Sequence, residues 1–242
     1  MPSNKKIWVI GGSTGFGASI SNHYISKGWD VIISSSNEKK LSNFIKKSKT
    51  NSKNQKICFK VVNLSSESSI TSAVCEILSD GPIDLLIITS AISNAKSSQY
   101  PMLKEDLKVF EEFIKINSIG NWLVIRSLFP KICSIQNSLK TILFSSKAGW
   151  SNTNHFGFYN ISKSLLHHLA LNLHEEIITK YNINCSFTIL EPGEALSEMN
   201  KGSLVDPKTI IPIIEHIEKN HLDKKVYFIN KQGSPLKFIE TV

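Results

Sequence analysis

Short apolar runs rich in isoleucine and valine alternate with longer amphipathic segments along almost the whole chain. The strand-like runs are Ile7–Ile10, Val31–Ile33, Ile57–Val62, Leu85–Ile88, Thr141–Phe144, Ile183–Leu190 and Val226–Ile229. Between them the spacing predicts helices over about Gly15–Lys27, Ser66–Leu78, Tyr159–Tyr181 and Pro207–Lys219, with a lysine-rich helix before Ile57. One long helix is predicted over Leu103–Ile132. Apolar runs without polar alternation suit strands buried on both faces. Strict alternation of such strands with helices leads to an α/β fold with an open, doubly wound parallel sheet, Rossmann-like in kind. No repeat, Pro- or Gly-rich linker or shift of composition divides the chain, so residues 1–242 are expected to form a single domain. Lys46–Lys56 reads as a surface loop.

A chain of 242 residues can bury a core that needs no disulfide or metal staple. The four cysteines, Cys58, Cys75, Cys133 and Cys185, are scattered, which points to a reducing compartment without structural disulfides. Met1–Lys6 leads straight into a strand and lacks the features of a signal peptide. No apolar run approaches a membrane span, so a cytoplasmic protein with no membrane partner is expected. The net charge of +8 raises the question of nucleic acid. Nearly all of it is lysine spread along the chain, and Arg126 is the only arginine, the residue preferred for bidentate phosphate and base contacts. A solvated lysine surface, with no nucleic-acid partner, is the expectation.

The first strand ends in Gly11-Gly12-Ser13-Thr14-Gly15-Phe16-Gly17, and a helix follows at once. Glycines here allow a tight turn, close approach of backbone to a pyrophosphate and close helix–strand contact. The helix N-terminus adds N–H groups and a positive dipole end. No Gly-Lys-Ser/Thr follows, which excludes a Walker-type phosphate loop. Ser13, Thr14 and Phe16 complete the expected dinucleotide-binding turn.

Tyr159-Asn160-Ile161-Ser162-Lys163 opens the helix predicted after the fifth strand. A four-residue separation on a helix puts the phenol and the ammonium on one face. A tyrosine of pKa about 10 exchanges protons poorly near neutrality. A neighbouring lysine cation favours the phenolate and suits the tyrosine to general acid–base work. Thirteen residues upstream, Ser146 stands at the carboxyl end of the fifth strand, where its hydroxyl can donate to a carbonyl oxygen that gains charge.

The glycine spacing, the serine–tyrosine–lysine spacing and their order resemble the short-chain dehydrogenase/reductase family over nearly the whole chain. The resemblance implies that Asn117 supports a proton relay behind the lysine by holding a water. It also implies that Pro192-Gly193 covers the nicotinamide and that Ser197 replaces a threonine contacting the carboxamide. Ser90 and Ala91, in Thr89-Ser90-Ala91, stand where the family commonly has Asn-Ala-Gly, and Asn63-Leu64 stands where an aspartate often lies near the adenine. At the end of the second strand an acid would bind the ribose 2′-hydroxyl and repel a 2′-phosphate. This chain has Ser34-Ser35-Ser36-Asn37 and no acid before Glu38, with Lys39 and Lys40 following, which favours NADP(H) over NAD(H).

The resemblance implies that Trp150, His155 and Phe156, together with the loop Glu194–Asp206, line the substrate pocket. His167, His168 and His174 lack metal-site spacing, so no metal is expected, and they read as helix-surface or subunit-contact residues. Leu165, Leu166, Leu169 and Leu173 look like a core stripe with surplus apolar area, and the resemblance implies a homodimer or homotetramer. The function expected is reversible reduction of a small-molecule ketone or aldehyde to an alcohol, with Tyr159 as acid/base. The alternative is a non-catalytic dinucleotide-binding sensor or scaffold of the same fold.

Overall fold

The computed structural model describes residues 4–48, 55–93, 102–135, 138–151, 156–181, 183–197, 199–220 and 226–235. Its strands are β1 (Lys6–Ile10), β2 (Asp30–Ser35), β3 (Ile57–Val61), β4 (Leu85–Ile88), β5 (Ser138–Phe144), β6 (Asn184–Leu190) and β7 (Val226–Ile229). All pair in parallel in one sheet of order β3-β2-β1-β4-β5-β6-β7. The order reverses between β1 and β4, so the two strand ends diverge there and leave a crevice at their carboxyl side.

The helices are α1 (Gly15–Ser26), α2 (Glu38–Lys47), α3 (Glu67–Ser79), α4 (Leu107–Ile114), α5 (Gly120–Ile132), α6 (Gly157–Tyr181) and α7 (Ile211–Asn220). Alternate strand residues feed two cores. Trp8, Ile10, Leu86 and Ile88 point to the side covered by α3, α5 and α6. Ile7, Val9, Leu85 and Ile87 point to the side covered by α1, α2 and α7. Every side chain of β1 is buried, which is why the strand reads from Ile7 to Ile10 as an unbroken apolar run. Each isoleucine or leucine so buried contributes roughly 1.5–3 kcal/mol relative to an exposed one.

The predicted elements recur with small shifts at their ends. Ser66 caps α3, its side chain accepting from the Ser69 N–H, and Asn37 caps α2 by accepting from the Lys40 N–H. The predicted helix over Leu103–Ile132 is broken. A 3-10 turn at Met102–Lys104 precedes α4, and a π-helical turn at Lys115–Ile119 separates α4 from α5. Asp106 starts α4 afresh by accepting from the Lys108 N–H. The π turn turns Asn117 and Ser118 inward, and both bond to α6 through Ser162. Such wide turns are common at functional sites.

Candidate active site

A cavity of about 700 Å³ lies at the carboxyl ends of the central strands, over the point where strand order reverses. Its floor begins with the glycine turn. Gly11 has φ +85° and sits so close to the next strand that a Cβ would lie 2.6 Å from Ser90 Oγ and from Thr89 Oγ1. At Gly17 a Cβ would collide with the Gly11 carbonyl, so α1 can approach β1 only through glycine. No side chain caps α1, whose first turn therefore offers backbone N–H groups to the cavity. That cradle suits a pyrophosphate.

Gly11, Ser13, Thr14, Gly15, Phe16 and Gly17 all line the cavity, as do Ser35 and Ser36 at the end of β2, and Asn63 and Leu64 after β3. Ser90 and Ala91 after β4, and Pro192, Gly193 and Ser197 after β6, line it as well. Of the two lysines at the start of α2, Lys40 faces the cavity while Lys39 is exposed outside it. Asn63 folds its amide oxygen back onto the Ser65 N–H and hydroxyl. Ser197 turns on itself, its hydroxyl accepting from the Asn200 N–H, and lies against Gly15 at the start of α1. The loop after β6 thus spans from the sheet to the glycine turn.

Ser146, Tyr159 and Lys163 meet at the wall of this cavity. Ser146 follows β5 in extended backbone, and its hydroxyl accepts from the Ala148 N–H at 3.2 Å, starting the 3-10 turn Lys147–Gly149. Burial pushes the Tyr159 phenol up to about 12, and a hydrogen bond with Ser146 opposes the rise. Burial brings Lys163 down to about 7. Its ammonium donates to the Phe144 carbonyl at 2.9 Å and stands 5.7 Å from the Tyr159 ring centre. The expected lowering of the tyrosine by the lysine is therefore not found among the protein groups. Desolvation is the leading influence at both residues.

Other residues singled out by the sequence lie away from the cavity. Asn117 does not line the cavity. Its oxygen accepts from the Ile92 N–H at 2.8 Å, and its amide group donates to the Ile92 carbonyl and to Ser162 Oγ, both at 3.0 Å. Its side chain clasps the segment after β4 onto α6, and its carbonyl accepts from the Asn121 amide at 2.9 Å. Trp150 is not at the cavity either; it packs on the core against His167, with ring centres 4.2 Å apart, and against Phe228. Phe156 does line the cavity, whereas His155 lies outside the described residues. His167 and His174, expected at a surface, are buried, and only His168 is exposed.

Sequence reasoning missed Ser145, which lines the cavity and meets His167 Nε2 at 2.6 Å. The signal was the four-residue step from Lys163 to His167, which places both on the same face of α6. Among the described residues no group of three or more His, Cys, Asp or Glu gathers as a metal site, and no helix is long and apolar enough to cross a membrane.

A cleft of this kind, at the switch point of a doubly wound parallel sheet and floored by a glycine turn, marks a nucleotide-binding α/β protein. The sequence says which kind: the short chain dehydrogenase family profile matches residues 5–207, and the chain belongs to that family of dehydrogenases and reductases. It is 24% identical to an uncharacterized oxidoreductase of Staphylococcus saprophyticus, the match covering 70% of each chain. It is 24% identical to a very-long-chain 3-oxoacyl-CoA reductase of Pyricularia oryzae over 70% of this chain, but only 50% of that protein's length. A solved structure described as ElxO, with a tyrosine-to-phenylalanine substitution and NADPH bound, superposes with a TM-score of 0.79. It is 16% identical, with 95% of this chain and 98% of that one covered.

Proposed function

We propose that the protein is an NADP(H)-dependent carbonyl reductase in which Tyr159 delivers the proton. The observation that carries this reading is the convergence of Ser146, Tyr159 and Lys163 on the cavity that the glycine turn opens. A phenol held at about 12 is protonated at neutral pH and is an acid, not a base, before reaction. That state suits reduction, in which the developing alkoxide needs a proton. A relative named for reduction of a 3-oxoacyl group supports the same direction.

The residues fit a dinucleotide. The first turn of α1 and the glycines at 11 and 17 would hold the pyrophosphate; Asn63 and Leu64 would face the adenine end, and Pro192 and Ser197 the nicotinamide end. When bound, the nucleotide supplies the hydride. The chain's own part is to orient and protonate. Ser146 donates to the carbonyl oxygen, polarising it. Tyr159 passes its proton to that oxygen as charge develops there. Lys163, fixed to the Phe144 carbonyl beside Tyr159, would favour the phenolate whenever it is charged and so draw the phenol down. Asn117 keeps the segment after β4 in place.

The preference for NADP(H) rests on Ser35 and Ser36 lining the cavity beside Lys40, with no carboxylate among the groups at that end. A solved structure similar in fold is described with NADPH bound. The free cysteines Cys58, Cys75, Cys133 and Cys185 suit a reducing, cytoplasmic setting. We further propose self-association through the exposed apolar residues Leu107, Ile119 and Ile161 on α4, the π turn and α6.

The test is NADPH and NADH oxidation across a panel of ketones and aldehydes, with wild type and Tyr159→Phe. Turnover by the wild type, and a loss of about 10²–10⁴-fold in kcat for Tyr159→Phe with NADPH binding retained, is expected. Undiminished turnover by the variant would remove the mechanism. Binding of both nucleotides with no turnover by the wild type would leave a dinucleotide-binding sensor, and tighter NADH binding would reverse the cofactor preference.

A further inference from the structure

Ser146 has a neighbour whose hydroxyl the mechanism does not use. Ser145 extends the β5–β6 ladder by one residue, its N–H donating to the Leu190 carbonyl at 2.7 Å. Its hydroxyl is buried and reaches His167 Nε2 at 2.6 Å. His167 lies one helical turn beyond Lys163, in a close aromatic cage. Trp150 lies 4.2 Å and Phe228 5.6 Å from it, centre to centre. Gly149 backs onto the ring so tightly that a Cβ there would lie 2.7 Å from Nε2.

Three bonds in a row tie the segment 144–149 to α6. Lys163 Nζ holds the Phe144 carbonyl at 2.9 Å, Ser145 holds His167, and Ser164 Oγ donates to the Gly149 carbonyl at 3.0 Å. Ser146 stands inside this bracket. Its own hydroxyl serves the Ala148 N–H and Tyr159, so its aim depends on the neighbours on either side. The Ser145–His167 bond is the member of the three that joins two side chains, and it uses no group that touches the reacting atoms.

We propose that His167 is a positioning residue that acts through the Ser145 hydroxyl to aim Ser146 at Tyr159. Burial holds the imidazole down to about 3, so the ring works uncharged throughout the neutral range and adds no cation beside Lys163. A ring fixed on three sides confines Ser145 to one rotamer, and confinement of a strand end to within a fraction of an ångström is what a hydrogen-bond donor to a developing oxyanion requires. The inference rests on the carbonyl-reduction reading, because its readout is turnover.

The test is a double-mutant cycle with His167→Phe, which keeps an aromatic ring and removes both nitrogens, and Ser145→Ala, the smaller change. Each is expected to lower kcat on the order of 10-fold while the KM for the carbonyl and the Kd for NADPH move less than about 2-fold. The double variant falls no further than the worse single, since both remove one contact. His167→Gln, whose amide can reach the position of Nε2, regains part of the loss. Multiplicative losses in the double variant, an unchanged kcat in both singles, or effects confined to melting temperature or NADPH binding would overturn the proposal while leaving the reductase reading intact. A wild type that binds NADPH yet reduces no carbonyl sinks the reductase reading, and the positioning role falls with it.

Discussion

Lys163 is a fully buried lysine, and burial costs it most of its basicity. An unfolded lysine keeps its proton to about pH 10.4, whereas folded Lys163 releases it near 7. Between those values the unfolded chain binds more protons, so stability rises with pH through the window and is lowest below it. His167, held near 3 against about 6.5 when unfolded, adds a slope of the same sign in acid. Tyr159 works the other way: its folded value of about 12 exceeds the unfolded value near 10, so its contribution is lost as pH climbs from 10 to 12. Purified without nucleotide, the protein is therefore expected to melt at rising temperature from pH 7 to about 10. Lys163→Met should flatten that rise and, at pH 7 and below, stabilise the fold by roughly 1–3 kcal/mol, since it removes a desolvated charge. Calorimetry across the range checks both; an unaltered slope in the variant would mean that Lys163 is not the titrating group.

Two helices govern the site at the scale of elements. α1 owes its place to Gly17, where a Cβ would overlap the Gly11 carbonyl and stand 2.8 Å from Thr89 Oγ1. Gly17→Ala must push α1 off β1, at a cost of roughly 1–3 kcal/mol, and should weaken NADPH binding as the pyrophosphate cradle opens. Titration of the variant with NADPH measures the second effect; unchanged affinity would place the phosphates elsewhere. α6 supplies the other wall. Of the leucine stripe expected at 165, 166, 169 and 173, Leu166 is buried in the core and Leu173 packs against it, but the buried face of α6 also takes in Asn160, Ser162, Lys163, His167, Ala170, His174 and Ile177. Two histidines and a lysine thus face inward. Hydrophobic periodicity cannot register a polar residue that tertiary contacts bury with a partner. The same reason hid the π turn: its width comes from Asn117 and Ser118 reaching Ser162 on α6, a contact 44 or 45 residues away in sequence.

For the whole molecule, the sheet and its two cores account for the interior, and what remains outside is informative. Leu107 is 65% exposed, and with Ile119 and Ile161 it marks apolar area on α4, the π turn and α6. Covering it with a second copy predicts a homodimer or homotetramer in sedimentation, and Leu107→Glu should shift the distribution towards smaller species. A wild type that sediments as a monomer at micromolar concentration would refute the association. The strand–helix order, the parallel sheet, the glycine turn and the Ser146–Tyr159–Lys163 spacing were all legible in the amino-acid sequence by itself. Each is a local period or a fixed spacing, and backbone geometry turns those directly into faces and turns. Only the tertiary structure decided that Trp150 packs on the core, that Asn117 clasps Ile92, that His167 lies behind Ser145, and that burial dominates at Tyr159 and Lys163. Those facts depend on which distant elements exclude water from a side chain and which polar atoms they bring to it, and no local spacing encodes that.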